Sequence, residues 1–237
     1  MTYQSPDASS GTALLIGASR GLGLGMAAEF AKRGWRVIAT VRDDARTELH
    51  DLVDAHPDRI AIETVDIAMP EQVAALRDRL ALSSFDLLFV NAGTANMSDE
   101  IAGEIATEEY ARVLVTNALG PMRIIEACQH LVRADGLIGV MSSGQGSITN
   151  NTNGLHEVYR SSKAALNQLI RSYAARHADD PRALVLMAPG WIRTRLGGPK
   201  APVGVEESVP LIVDVMLGRL GKPGLAFLDR DGNTVPW

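Results

Sequence analysis

Cys128 is the single cysteine in 237 residues, so no disulfide can form within the chain. That predicts a reducing, cytoplasmic setting. Also missing is any apolar run of roughly 20 residues, the length a membrane span needs. Runs such as Ala13–Ile16 and Leu87–Val90 are only strand length. The opening "MTYQSPDASSG" is polar and lacks the apolar centre of a signal peptide, which predicts a flexible arm over residues 1–11. Excess positive charge is lacking too: the formal net charge is −5, which argues against a nucleic-acid or anionic-lipid partner. His50, His56, His130, His156 and His177 show no metal-ligand spacing, so no metal site is expected. No repeat, low-complexity tract or interdomain linker interrupts the chain.

With 46% hydrophobic and 22% charged residues, the chain can bury one sizeable core, and residues 12–237 read as one domain. Short apolar runs alternate with helical patterns. Strands are predicted at Ala13–Gly17, Arg36–Val41, Ile60–Val65, Phe85–Val90, Gly136–Ser142, Ala183–Ala188 and Leu225–Leu228. Helices are predicted near Leu22–Arg33, Thr47–Ala55, Glu71–Leu80, Glu108–Val132, Glu157–Arg176 and Glu206–Leu217. Continuous apolar strands imply burial on both faces, and the alternation implies right-handed βαβ units. The fold class is therefore α/β: a Rossmann-type doubly wound parallel sheet of about seven strands, order 3-2-1-4-5-6-7, with helices on both faces.

In "ALLIGASRGLGLGMAAEF" a strand ends at Gly17 and a helix begins near Leu22. Gly17, Gly21 and Gly23 lie in or beside the turn. Glycine permits positive φ and close backbone approach, and free amides at the helix start attract a pyrophosphate. The spacing departs from G-x-G-x-x-G, with three residues between the first two glycines. Further on, Tyr159 and Lys163 stand four residues apart, which places them on one helical face. A buried face would not choose a lysine, and a solvent face has little use for a tyrosine.

G-x-x-x-G-x-G at Gly17–Gly23, "NAG" at Asn91–Gly93, Asn117 in a mid-chain helix, "SS" at Ser142–Ser143, Y-x-x-x-K at Tyr159–Lys163, and "PG" at Pro189–Gly190 with Thr194 occur in that order. Together they resemble the short-chain dehydrogenase/reductase family in its compact single-domain form, over nearly the whole chain from Thr12. "ATVRD", "MSSGQGSITNNTNG", "VYRSSKAALN", "LGGPKAPVGVEES" and "FLDRDGNTVPW" resemble its sniffer-like and C-factor-like carbonyl reductases.

That resemblance implies an oxidoreductase interconverting a ketone or aldehyde and an alcohol. Tyr159 would be the general acid/base. Lys163 would lower the phenol pKa by its charge and hold the nicotinamide ribose. Ser143 would bind the substrate oxygen, with Ser142 as its rival; the family's SS-x-x-G pattern favours the second serine, and Gly146 supplies the glycine. Asn117 would hold a water in a proton relay. Expected cofactor contacts are Gly17, Ser19, Arg20, Gly21, Leu22, Gly23, Arg42, Asp66, Ile67, Asn91, Ala92, Gly93, Tyr159, Lys163, Pro189, Gly190, Ile192 and Thr194.

Arg42 follows the second strand, where NAD-specific sheets usually place an acid. A guanidinium there favours a 2′-phosphate, with Arg20 on its other side, so the expected cofactor is NADP(H). Asp43 and Asp44 are read as starting the next helix, where acids are favoured. Asp66 is expected at adenine, with a helix-cap role as its rival. Ala95, Met97, Gly144, Leu155, His156, Trp191, Leu196 and the Gly197–Gly204 loop are the candidate walls of a hydrophobic substrate pocket. Trp191 could equally be core. The resemblance also implies a homodimer or homotetramer, paired through the helices near Glu108–Val132 and Glu157–Arg176. A nucleotide-sensing regulator is the alternative function, though it would be expected to lose the Tyr/Lys pair. A dehydratase or epimerase of the longer branch would need an extra substrate domain.

Overall fold

The computed structural model describes residues 10–96 and 101–237. Strands β1 (Thr12–Ile16), β2 (Arg36–Val41), β3 (Ile60–Thr64), β4 (Phe85–Val90), β5 (Val132–Met141), β6 (Ala183–Ala188) and β7 (Gly224–Asp229) form one sheet. Every neighbour pair is parallel, and the order is β3-β2-β1-β4-β5-β6-β7. The α-helices among the described residues are α1 (Gly21–Lys32), α2 (Glu48–Ala55), α3 (Pro70–Arg79), α4 (Thr107–Leu114), α5 (Gly120–Cys128), α6 (Glu157–Arg176) and α7 (Val205–Leu217).

Strand alternation explains the two layers. Leu14 and Ile16 face one side, where Leu76, Ile124, Ile125, Leu166 and Ile170 from α3, α5 and α6 bury against them. Ala13 and Leu15 face the other, against Met26, Phe30, Leu49, Ile212 and Met216 from α1, α2 and α7. A strand that is apolar at every position thus fills two cores at once. Because all strands run in parallel, their C-terminal ends share one edge of the sheet. Gly17, Arg42, Asp66, Asn91, Ser143 and Pro189 all fall at or just beyond those ends, where a doubly wound sheet keeps its ligand crevice.

Three expectations need correction. The long helix read over Glu108–Val132 is three pieces: α4, a π-helical segment Val115–Leu119, and α5, closed by a short 3₁₀ turn at Gln129–Leu131. Strand β5 then starts at Val132, four residues before the expected Gly136. Asp43 and Asp44 do not open a helix. The Asp43 carboxylate accepts from Ala45 N (3.2 Å) and pairs loosely with Arg42 (3.5 Å), while α2 starts later behind Thr47. At the end of the expected arm, Gly11 O accepts from Arg36 N, and a side chain at Gly11 would meet the Trp35 ring at 2.7 Å. Residues 1–9 of that arm lie outside the described residues. Among the described residues, no helix is long and apolar enough to cross a membrane.

Candidate active site

The glycine turn is built by close approach. Gly17 has φ +87°, and a Cβ there would lie 2.7 Å from Ala92 Cα. At Gly23 a Cβ would lie 2.1 Å from Gly17 O and 2.7 Å from Asn91 Nδ2. Asn91 Nδ2 donates to Gly17 O (2.7 Å), so the asparagine braces the turn. Gly17 N in turn donates to Thr40 Oγ1 (2.9 Å). Thr40 was missed in the sequence, although a buried threonine inside the apolar run "RVIATV" is a usable signal. Arg20 caps α1 without a side-chain bond to its first amides, and free amides at a helix start suit an anion. Ser19 and Leu22 are partly buried beside that helix start.

Other predicted contacts are placed unevenly. Arg42 is exposed at the end of β2. Asp66 accepts from Ala68 N (2.9 Å), a turn bond that leaves the helix cap to Met69. Ile67 and Ile192 are both core residues, each 4% exposed, so only their backbones can face a cofactor. Thr194 lies over the glycine turn, its Cγ2 3.5 Å from where a Gly21 side chain would begin. Thr194 Oγ1 accepts from Gly197 N (3.0 Å), and Trp191 Nε1 donates to Gly197 O (2.7 Å). The Gly197–Gly204 loop is therefore tied down. Pro189 is buried and Gly190, φ +88°, is exposed behind it. Trp191 is 57% exposed, which settles it as surface and not core. Leu155 and Leu196 are exposed as well; Met97 lies outside the described residues. His156, φ 60°, turns the chain into α6 from a left-handed conformation uncommon for a side-chain-bearing residue.

The two serines separate cleanly. Ser142 is buried and donates to Asn167 Oδ1 (2.5 Å). Ser143 is partly exposed, accepts from Gln145 N (3.1 Å), and brings its hydroxyl to the Tyr159 phenol. Lys163 is 3% exposed and donates to Met141 O (2.8 Å), with Nζ 5.9 Å from the Tyr159 ring centre. Asn117 is fully buried in the π-helical segment. Its amide donates to Thr94 O (2.7 Å) and Ser162 Oγ (2.9 Å), and its Oδ1 accepts from Thr94 N (2.8 Å). Near it, a side chain at Gly93 would come 3.3 Å from Asn117 Oδ1 and 3.5 Å from Lys163 Nζ. Asn117 and Lys163 are thus neighbours across one glycine. A π-bulge at a functional site is a common association.

The electrostatics correct one expectation. Burial pushes the Tyr159 phenol up, to about 12, and the Ser143 hydroxyl offsets only part of that. Burial pushes the Lys163 ammonium down, to about 8. The phenol is therefore not depressed in the protein alone. It is held protonated at neutral pH, with an ammonium one turn away to meet the charge that proton loss would create. Such a cluster can donate a proton to an oxygen resting between Ser143 and Tyr159.

A glycine-turned parallel sheet with this cluster at its strand ends defines the class, a Rossmann-type oxidoreductase. The chain belongs to the short-chain dehydrogenase/reductase family; the family profile described as Enoyl-(Acyl carrier protein) reductase matches residues 17–223. A solved short-chain dehydrogenase/reductase from Burkholderia multivorans, so described and with NADP bound, is similar at 58% identity and TM-score 0.94, covering 95% of this chain and 99% of that one. A carbonyl reductase from Pseudomonas aeruginosa PAO1 in complex with NADP is 33% identical, with TM-score 0.90 and coverage of 97% and 100%. The 1-hydroxy-2-glutathionyl-2-methyl-3-butene dehydrogenase of Rhodococcus sp. is 32% identical over 95% of this chain and 99% of its own.

Proposed function

We propose that the chain is an NADP(H)-dependent oxidoreductase that interconverts a ketone or aldehyde and an alcohol, with Tyr159 as general acid/base. The observation that carries this is the meeting of the Ser143 hydroxyl and the Tyr159 phenol above a buried Lys163. The glycine turn fits a dinucleotide: a side chain at Gly17 would strike Ala92 and one at Gly23 would strike the Gly17 carbonyl, so only glycine lets the backbone close into this turn and leave its amides free. Gly17, Ser19, Gly21, Leu22 and Gly23 hold the pyrophosphate; Arg20 and Arg42, both exposed, take a 2′-phosphate. Asp66 and Ile67 border adenine. Asn91, Ala92, Gly93, Pro189, Gly190, Ile192 and Thr194 enclose the rest of the dinucleotide, and Lys163 holds the ribose. NADPH, when bound, supplies the hydride for the carbonyl carbon.

The chain's own part is the oxygen. Ser143 donates a hydrogen bond to the carbonyl oxygen and fixes it beside Tyr159. The phenol gives its proton to that oxygen as negative charge develops. Lys163 stabilises the phenolate left behind, and Asn117 orders the water through which the proton is replaced. Exposed Leu155, Trp191 and Leu196 favour a hydrophobic substrate. Burial pushes the Cys128 thiol up to about 11, so its reactive thiolate form is disfavoured near neutrality.

An NADPH-oxidation panel over aldehydes, aryl ketones, diketones and quinones tests the reading, with NADH run in parallel. Turnover of at least one carbonyl class, faster with NADPH, is expected. If every class is silent while NADPH binds, a nucleotide-binding regulator replaces the enzyme.

A further inference from the structure

We propose that Asn167 is a positioning residue that sets the distance between Ser143 and Tyr159; the proposal rests on the catalytic reading of those two residues. Helix α6 carries Tyr159, Lys163 and Asn167 at successive four-residue steps, so the three share one stripe. Tyr159 is partly exposed, whereas Lys163 and Asn167 are both buried. A buried amide is costly unless bonded, and this one is bonded twice. Its Oδ1 accepts from Ser142 Oγ (2.5 Å), and its Nδ2 donates to Gly146 O (3.1 Å). The orientation is fixed by chemistry: a carbonyl can only accept, so Nδ2 must face Gly146 and Oδ1 must face the hydroxyl.

Those partners flank the arc that carries Ser143. Within the arc, Gly146 N donates to Ser143 O (2.9 Å) and Gln145 N donates to Ser143 Oγ (3.1 Å). On its outer side, Ser142 N donates to Met187 O (2.8 Å) in the neighbouring strand. The arc also rests directly on the helix: a side chain at Gly146 would stand 3.0 Å from Asn167 Nδ2 and from Lys163 Cβ. One amide therefore clamps both feet of the serine turn to the helix that presents the phenol. Ser143 itself makes no bond to Asn167, so any effect on chemistry must pass through the turn.

A double-mutant cycle in the full-length chain tests this. The readouts are kcat and KM for the carbonyl reduced fastest in the panel, NADPH affinity by fluorescence titration, and thermal melting. Asn167→Ala should lower kcat by roughly tenfold or more, since small misplacements of catalytic groups cost that much, with NADPH affinity near that of the unmodified chain. In a Ser143→Ala background the same substitution should cost less than about twofold, because the turn then carries nothing to position. Asn167→Asp keeps the size and the acceptor for Ser142 but loses the donor to Gly146, and should show the same dependence on Ser143 if Asn167→Ala folds poorly. Equal losses in both backgrounds mean that Asn167 only stabilises the fold, and overturn the proposal. If Ser143→Ala alone leaves kcat unchanged, the catalytic reading falls and takes this one with it.

Discussion

Burial of Lys163 costs the folded chain stability near neutrality, because its ammonium loses water for one hydrogen bond to Met141 O and a distant approach to the Tyr159 ring. The folded pKa is about 8 against an ordinary 10.5. Between those values the unfolded chain holds the proton and the folded chain does not, so this group's contribution to stability rises with pH across that window and is lost as pH falls through it. The cofactor-free Lys163→Met variant lacks this penalty. It should be the more stable protein at pH 7, by on the order of 3 kcal/mol. The gap should close by about pH 10.5. Tyr159 titrates with the opposite sign, above its ordinary value, but it is present in both proteins and cancels in the comparison. Melting temperatures across that range would check it; a pH-independent gap would mean that Lys163 is not buried as a charge. Tyr159→Phe removes only the hydroxyl. Turnover should fall by at least about 10²-fold, the low end for a lost general acid, while NADPH affinity stays put. Near-normal carbonyl reduction by that variant would make the phenol structural. The pair itself was legible in the sequence from its spacing. What the spacing concealed was the sign of the phenol shift, since desolvation depends on the walls around it and not on the four residues between Tyr159 and Lys163.

Elements were legible where periodicity is simple. Helix α6 matches its predicted Glu157–Arg176 bounds, and β2, β4 and β6 match theirs. Expectation failed where two periods overlap. Val115–Leu119 keeps the apolar pattern of a helix but winds wider, so the sequence runs on through a segment whose hydrogen bonds have changed. Asn117 was a local sign of it, since asparagine has poor helix propensity, as do Val115 and Thr116 before it. Asp43 misled for a related reason: acids favour helix starts, and they also favour turns by bonding nearby amides, as Asp43 does to Ala45 N. Asn167 closes the stretch "VYRSSKAALN", yet no role for it was legible in the sequence, because its partners Ser142 and Gly146 are distant along the chain. The glycine turn gives the prediction at this scale. Gly23→Ala would drive a methyl into Gly17 O and Asn91 Nδ2, the two ends of the bond that braces the turn. Overpacking of this kind costs typically about 1–3 kcal/mol. NADPH affinity should fall at least roughly tenfold, because the amides that cradle the pyrophosphate move. Gly103→Ala is the control, since nothing lies within 4 Å of its Cβ position. Equal behaviour of the two variants in titration and melting would remove the glycine turn from the cofactor site.

At the scale of the whole molecule, the sheet was the most legible feature, because strands buried on both faces leave unbroken apolar runs that alternation with helices then orders. Association is harder to read, since the residues of a contact between copies are scattered along the chain and resemble ordinary surface singly. Two exposed leucines are where the proposed homodimer or homotetramer would pair. Leu119 is 41% exposed at the end of the π-helical segment and Leu169 is 37% exposed on α6. Both stand on helices that cover the same face of the sheet. A two-fold axis across those helices would bury each leucine against a copy of the same surface, the self-complementary arrangement that cyclic dimers require. Light scattering at micromolar concentration should give a mass of two or four chains of 25.4 kDa. Leu119→Glu with Leu169→Glu places charges in that contact at no cost to the core, and should shift the mass downward while the melting transition of the fold remains. A single-chain mass for the unmodified protein would refute the assembly. An unchanged oligomer in the double variant would move the contact to another face.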